Sequence, residues 1–168
     1  MDKNQYFLSL YEPNHLGLLR YCESILKDPT DAKDLVSDTV LIAYEQLDKL
    51  QKESSFKYFL FGIARNLIRR QHRRKKFWGI FDVEKAEQIP IKAKAEQDAE
   101  VQGLYLALDK LPEAQKEALI LFELSGYNIK EISEIQDTSI SNVKARLSRG
   151  REKLAKILSP SKSLAYES

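Results

Sequence analysis

Between Arg65 and Lys76 the chain carries seven basic side chains and no acidic one, directly before Phe77 and Trp78. Arg65, Arg69 and Arg73 recur every fourth residue, and Arg70, Arg74 and Lys75 widen the same helical face. Cations at that spacing can neutralise a row of phosphates. The rings just upstream, Phe56, Tyr58, Phe59 and Phe61, could stack on unpaired bases. A second basic run, "SNVKARLSRGREKLAK", begins at Ser141. With Val143 and Leu147 facing a core, Ser141, Ala145 and Ser148 point outward and Lys144, Arg146, Arg149 and Arg151 flank them. Small residues in the middle let a helix sit deep in a major groove while the flanking cations reach phosphates on both walls.

Each run also fits a merely solvated charged face, the second as half of an ordinary helical hairpin. A membrane-surface helix needs a continuous apolar face, and residues 68–76 offer only Ile68. Phe56 and Phe59 fall on the apolar stripe of their helix and belong to a core, which leaves Tyr58 and Phe61 freer. Asp31, Asp34 and Asp38 share a helix face, but no His or Glu supports a metal site there and the dipole at a helix start accounts for acids. His15 and His72 are isolated. No nucleophile has a base beside it and no phosphate loop occurs, so neither an enzyme nor a bound cofactor is expected. The single cysteine, Cys22, excludes an internal disulfide and a cysteine zinc site, and reads as a small buried hydrophobe.

The charge is blocky. Residues 1–56 carry a net −4, 57–76 +8, 77–138 −7 and 139–168 +5, so the total of +2 hides two separate basic patches. With 43% hydrophobic and 31% charged residues the chain is of the folded, soluble type. The start lacks a signal-peptide pattern, and the longest apolar runs fall far short of the roughly 20 residues that span a bilayer. These features predict a cytoplasmic protein with no direct membrane insertion.

The elements that must position these residues read as helices throughout. Leu8, Leu16, Leu19 and Ile25 belong to a first helix, with Pro13 permitting a break or kink. In "DPTDAKD", Pro29 stops that element, Thr30 can cap the next, and Asp31 and Asp34 complement its dipole. Val36, Val40, Ala43, Leu47 and Leu50 form its stripe. Ser54 or Ser55 can cap a third helix with Phe56, Phe59, Leu60, Ile63 and Leu67 inward. Residues 77–98 lose the periodicity and read as a linker. Beyond it, one helix holds Leu104, Leu108 and Leu111, and Pro112 opens the next, with Ala118, Leu119, Leu121 and Phe122 apolar and Gly126 ending it. Asn128 with Glu131 forms a capping-box start, and Ser139 or Ser141 begins a last helix with Val143, Leu147, Leu154 and Leu158 inward. The expectation is all-α, with two small helical domains on a linker and a helix-turn-helix over 128–157. The boundaries expected are 1–76, 77–98, 99–160 and a tail of 161–168.

Taken together, "DAKDLVSDTVLIAYEQLDKLQKESSFKYFLFGIARNLIRRQHRRKK" resembles the second conserved region of extracytoplasmic-function (ECF) sigma factors. Likewise "LDKLPEAQKEALILFELSGYNIKEISEIQDTSISNVKARLSRGREKLAKIL" resembles their fourth. Ser37 and Asp38 stand where that family usually has Gln and Glu, and Phe59 where it has Trp. Asp137 and Thr138 replace a turn Gly and its apolar neighbour, and Gly150 replaces a helix Ala.

The resemblance implies a subunit that binds core RNA polymerase and directs promoter recognition without bond chemistry of its own. Asp34, Ser37, Asp38 and Leu41 would dock on the polymerase. Phe56, Lys57, Tyr58, Arg65, Asn66, Arg69, Arg70 and Arg73 would hold the −10 element as it opens, with the loop 48–55 taking an extruded base. Ser139, Ser141, Asn142, Lys144, Ala145, Arg146, Ser148 and Arg149 would read the −35 element. The acidic linker would occupy the RNA path of the enzyme. Members of the family are usually held inactive by an anti-sigma factor. The alternative is a stand-alone helix-turn-helix regulator.

Overall fold

The computed structural model describes residues 1–79 and 99–159, and the chain divides into two compact units, Met1–Lys92 and Ala93–Ser168. No strand occurs among the described residues.

In the first unit α1 runs Lys3–Leu26, α2 Pro29–Glu45 and α3 Phe56–Gly79. Asp2 caps α1, which passes through Pro13 without stopping, so the break that Pro13 permits does not occur. Beside the proline, which donates no N–H, the Asn14 side chain donates to the carbonyl of Leu10 at 2.9 Å. The helix ends at Lys27, in the left-handed region at φ 63°. Asp28, not Thr30, caps α2: its carboxylate accepts from the backbone N–H groups of Thr30 (2.8 Å) and Asp31 (3.2 Å). Pro29 occupies the first turn, where its missing N–H has no cost.

The three helices pack on one another around Leu18, Tyr21, Cys22, Ala32, Leu35, Ala43, Leu60, Phe61 and Ala64. Edge-on ring contacts of Phe7 with Tyr44 (5.4 Å) and Phe56 (5.7 Å) close one end. Burial pushes the Cys22 thiol up to about 12, so it stays neutral and unreactive. The expected inward side of α3 is corrected. Phe61 is fully buried against Tyr21 at 5.3 Å, whereas Phe59, Ile63 and Leu67 are only half-buried. Leu8 and Leu16 of α1 are exposed.

The helix α3 continues to Gly79 and so takes in the first residues of the expected linker 77–98. The rest of that linker and the 161–168 tail lie outside the described residues.

The second unit comprises α4 (Ala99–Asp109), α5 (Glu113–Leu119), α6 (Ile129–Ile135) and α7 (Ile140–Leu158). After α5 the chain widens into a π-turn over Ile120–Leu124, closed by Ser125 N–H donating to the Ile120 carbonyl at 3.0 Å. Gly126, at φ 76°, then redirects the chain, a conformation that costs a side-chain-bearing residue more. Asn128 and Glu131 form the capping box of α6, both bonds in place at 2.9 and 3.0 Å. Ser139 caps α7, accepting from Asn142 N–H at 3.1 Å. The turn between α6 and α7 places Asp137 at φ 49°, where glycine is usual and an Asp is tolerated.

Val143, Leu147 and Gly150 are the buried residues of α7; Leu158, expected inward, is exposed. Gly150 is a close-approach position. A Cβ there would meet Leu119 Cδ1 at 3.0 Å and Gln115 Cβ at 3.5 Å, so its backbone lies against α5.

Candidate nucleic-acid and polymerase interface

On α2 the buried residues Ala32, Leu35, Val36, Thr39 and Ala43 line one side. Asp34, Ser37, Asp38 and Leu41, at i, i+3, i+4 and i+7, therefore share the other side, and all four are exposed. Leu41 is 56% exposed, an apolar spot within an acidic face. Such a face offers a partner both charge complementarity and a residue to bury.

On α3 the inward side is Phe56, Leu60, Phe61, Ala64 and Ile68. Phe56 is therefore a core residue, packed between Phe7 and Phe59, and supports the surface instead of forming it. Lys57, Tyr58 and Arg65 are half-buried; Asn66, Arg69, Arg70 and Arg73 are exposed. Past Ile68 the helix carries no further buried residue as far as Phe77, and Arg74, Lys75 and Lys76 are exposed as well. The result is a basic rod at one end of an apolar bundle.

Between α2 and α3 the loop folds into two short 3-10 turns, Leu47–Lys49 and Glu53–Ser55. A cleft of about 460 Å³ opens beside it, lined by Met1, by Lys3 and Tyr6 from α1, and by Leu47, Asp48 and Leu50. Tyr6 reaches the loop itself. Burial, then a hydrogen bond to Glu53 and the charge of that carboxylate, raise its phenol. Lys3 sits over the Tyr44 ring at 4.9 Å. The contribution of α1 to this wall escaped the sequence reading, because Lys3 and Tyr6 lie some 40 residues from the loop and no spacing rule links them.

On α7, Ser141, Asn142, Lys144, Ser148 and Arg149 are exposed, as is Ser139, while Ala145 and Arg146 are half-buried. The expected flanking cations divide into two kinds. Lys144 and Arg149 stand in solvent. Arg151 donates to Glu123 Oε1 at 2.9 Å and covers the Phe122 ring at 5.2 Å. Arg146 donates to Gln136 Oε1 at 3.0 Å. Asn142 Nδ2 donates to Thr138 Oγ1 at 3.0 Å, and the Ser139 hydroxyl is taken by its cap. Ser141, Lys144, Ala145, Ser148 and Arg149 remain as the outward set. Small side chains lie between two cations, a shape that fits the major groove.

Among the described residues no cluster of His, Cys, Asp and Glu is arranged to hold a metal, and no helix is long and apolar enough to cross a membrane.

Comparisons with known proteins bear on the family and the fold. The family model for Sigma-70 region 2 matches residues 10–77, and that for Sigma-70 region 4 matches residues 102–154. The ECF RNA polymerase sigma factor EcfG of Rhodopseudomonas palustris is 35% identical over 144 residues, covering 84% of this chain and 79% of that protein. SigX of Bacillus subtilis is 28% identical, covering 89% and 82%. Among solved structures, the sigma factor RpoE of Bartonella quintana, in complex with the anti-sigma factor NepR, superposes with a TM-score of 0.68 at 28% identity. The match covers 92% of this chain and 99% of that one. CnrH, in complex with the cytosolic domain of CnrY, superposes with a TM-score of 0.71 at 24% identity, covering 95% and 91%. The α2 face, the basic rod of α3 and the outward set of α7 thus fall inside the two regions that define the family, and this chain belongs to the ECF RNA polymerase sigma factors.

Proposed function

We propose that this sigma factor works through three surfaces, each with its own partner. The acidic face Asp34, Ser37, Asp38 and Leu41 docks on core RNA polymerase. The rod Arg65 to Arg73, with Lys57, Tyr58 and Asn66, holds the backbone of the −10 element as its strands separate. Ser141, Lys144, Ala145, Ser148 and Arg149 of α7 read the −35 element. The cleft beside Leu47–Leu50 takes a base extruded from the −10 element. Unpairing a base costs a few kcal/mol, which stacking at about 1–3 kcal/mol per base can offset. The chain itself makes and breaks no bond, and it acts in the cytoplasm. As with the RpoE–NepR pair, an anti-sigma factor is a fitting regulator, because one partner covering the α2 face would exclude polymerase.

The observation that carries the reading is the exposed acidic face on α2. A helix-turn-helix alone would serve any DNA-binding regulator, whereas this face supports docking on a large enzyme. Replacing Asp34 and Asp38 together by Lys reverses the charge of the face. The double variant should fold normally by circular dichroism and lose at least tenfold in affinity for core polymerase, measured by fluorescence anisotropy of labelled chain. Unchanged assembly would refute the docking assignment. Sequence-specific duplex binding by the chain alone, with no polymerase association, would point to a stand-alone regulator.

A further inference from the structure

Arg146 stands on the recognition helix, yet its guanidinium turns back into its own unit. Its Nη1 donates to Gln136 Oε1 at 3.0 Å, and Gln136 Nε2 donates to the Ala114 carbonyl at 3.1 Å. Gln136 is 6% exposed and closes α6, its own N–H bonding the Ile132 carbonyl at 2.8 Å. Three elements are thereby linked through two side chains: the first turn of α5, the end of α6 and the second turn of α7. The amide is used in both directions, oxygen accepting and nitrogen donating, which fixes its orientation. At 100° per residue Arg146 lies roughly 130° around α7 from the mean direction of Ser141, Ala145 and Ser148. Swinging its guanidinium out to DNA would strip a buried acceptor of its partner, a loss that one solvent-exposed phosphate contact does not offset.

The local turn explains why such a link is needed. Between α6 and α7 the chain has only Gln136 to Ser139, with Asp137 in the left-handed region where glycine is usual. Short bonds stitch the turn itself, Thr138 N–H to the Ser133 carbonyl at 2.9 Å and Asn142 to Thr138. None of these reaches α5. The opposite flank of α7 is held by the Arg151–Glu123 pair, whose side chains are 50% and 54% exposed and therefore hold it weakly.

We propose that Arg146 is a positioning residue and not a DNA contact. With Gln136 it forms a strut that sets the angle at which α7 presents Ser141, Lys144, Ala145, Ser148 and Arg149. This inference rests on the DNA-reading role proposed for α7, and its test has one arm with DNA and one without.

Holoenzyme is reconstituted with the full-length chain carrying Arg146→Met, Gln136→Met, both, or Arg146→Lys. Binding to promoter duplexes with an intact or a scrambled −35 element is then measured over a salt series. The strut predicts that each Met variant lowers the preference for the intact element by about tenfold, that the double variant is no worse than either single, and that Arg146→Lys, which keeps a donor, recovers most of it. The log–log salt slope should not change. A slope lower by about 0.9 would make Arg146 a phosphate contact and overturn the proposal. Lost preference at a single base pair would make it a base reader and overturn it equally, as would undiminished preference. In the free chain, amide hydrogen exchange over residues 136–143 should quicken by about tenfold in both Met variants, again without additivity. Unchanged exchange overturns the strut whatever DNA does. A wild-type holoenzyme indifferent to every −35 sequence would instead sink the role of α7, leaving the exchange arm to decide the strut.

Discussion

On α3, six cations from Arg69 to Lys76 stand exposed beyond Ile68, the last buried side chain before Phe77, so the charge sits on a helix that has run past its own core. On α7 the cations run alongside the core formed by Val143, Leu147 and Gly150, and two of them, Arg146 and Arg151, bond back into the unit. The first arrangement gives strong, salt-sensitive attraction to phosphates with little demand on which base is present. The second leaves fewer cations but holds them at defined places around small side chains, as base reading requires. On the proposed function, two basic patches that look alike in a charge count serve different tasks, one holding a strand and one reading a sequence.

The largest effect is expected at the support of the α3 rod. Phe61→Ala removes a fully buried ring and should cost about 3–5 kcal/mol by urea unfolding, whereas Phe59→Ala, half-buried, should cost well under half of that. Equal costs would mean that the buried side of α3 has been misplaced.

Next in size is charge removal on the rod. Neutralising Arg69, Arg70 and Arg73 together should lower the log–log salt slope of holoenzyme–promoter binding by about 2 to 3, equally for intact and scrambled −35 elements. A loss confined to one −35 sequence would erase the distinction between the patches. Lys144→Ala and Arg149→Ala should each cost about 1–3 kcal/mol on an intact −35 element and far less on a scrambled one, measured by competition binding. Uniform weakening would make α7 a second phosphate holder.

The smallest effect concerns the seating of α7 on α5. Gly150→Ala gains about 1 kcal/mol of helix propensity but presses a Cβ on Leu119, so its thermal unfolding should lie within about 1 kcal/mol of wild type. A loss above 2 kcal/mol would show that the α5–α7 contact cannot give.

Local chemistry was the legible part of this fold. The Asn128–Glu131 capping box, the serine start of α7 and the tolerance of Asp137 for a left-handed turn all depend on residues within four positions of one another. The buried side of α3 was misread because that helix packs against both α1 and α2. Its buried arc is therefore wider than one stripe and takes in Phe61 and Ile68. Asp28 took the cap expected of Thr30, since Pro29 already fills the first helical position. Arg and Lys are good helix formers, and they carry α3 past the expected domain boundary at residue 76, to Gly79. The division among the α7 cations had no signature in the sequence. The partners of Arg146 and Arg151 lie 10 and 28 residues away, and only the packed unit brings them together.

The most direct test of the central claim is run-off transcription by core RNA polymerase with and without this chain, over a promoter library randomised at both elements. Transcripts are expected only when the chain is present, selected for one −10 and one −35 sequence, with Lys144→Ala and Arg149→Ala relaxing the −35 preference alone. Transcription that does not depend on the chain, or dependence with no sequence selected at either element, would contradict it.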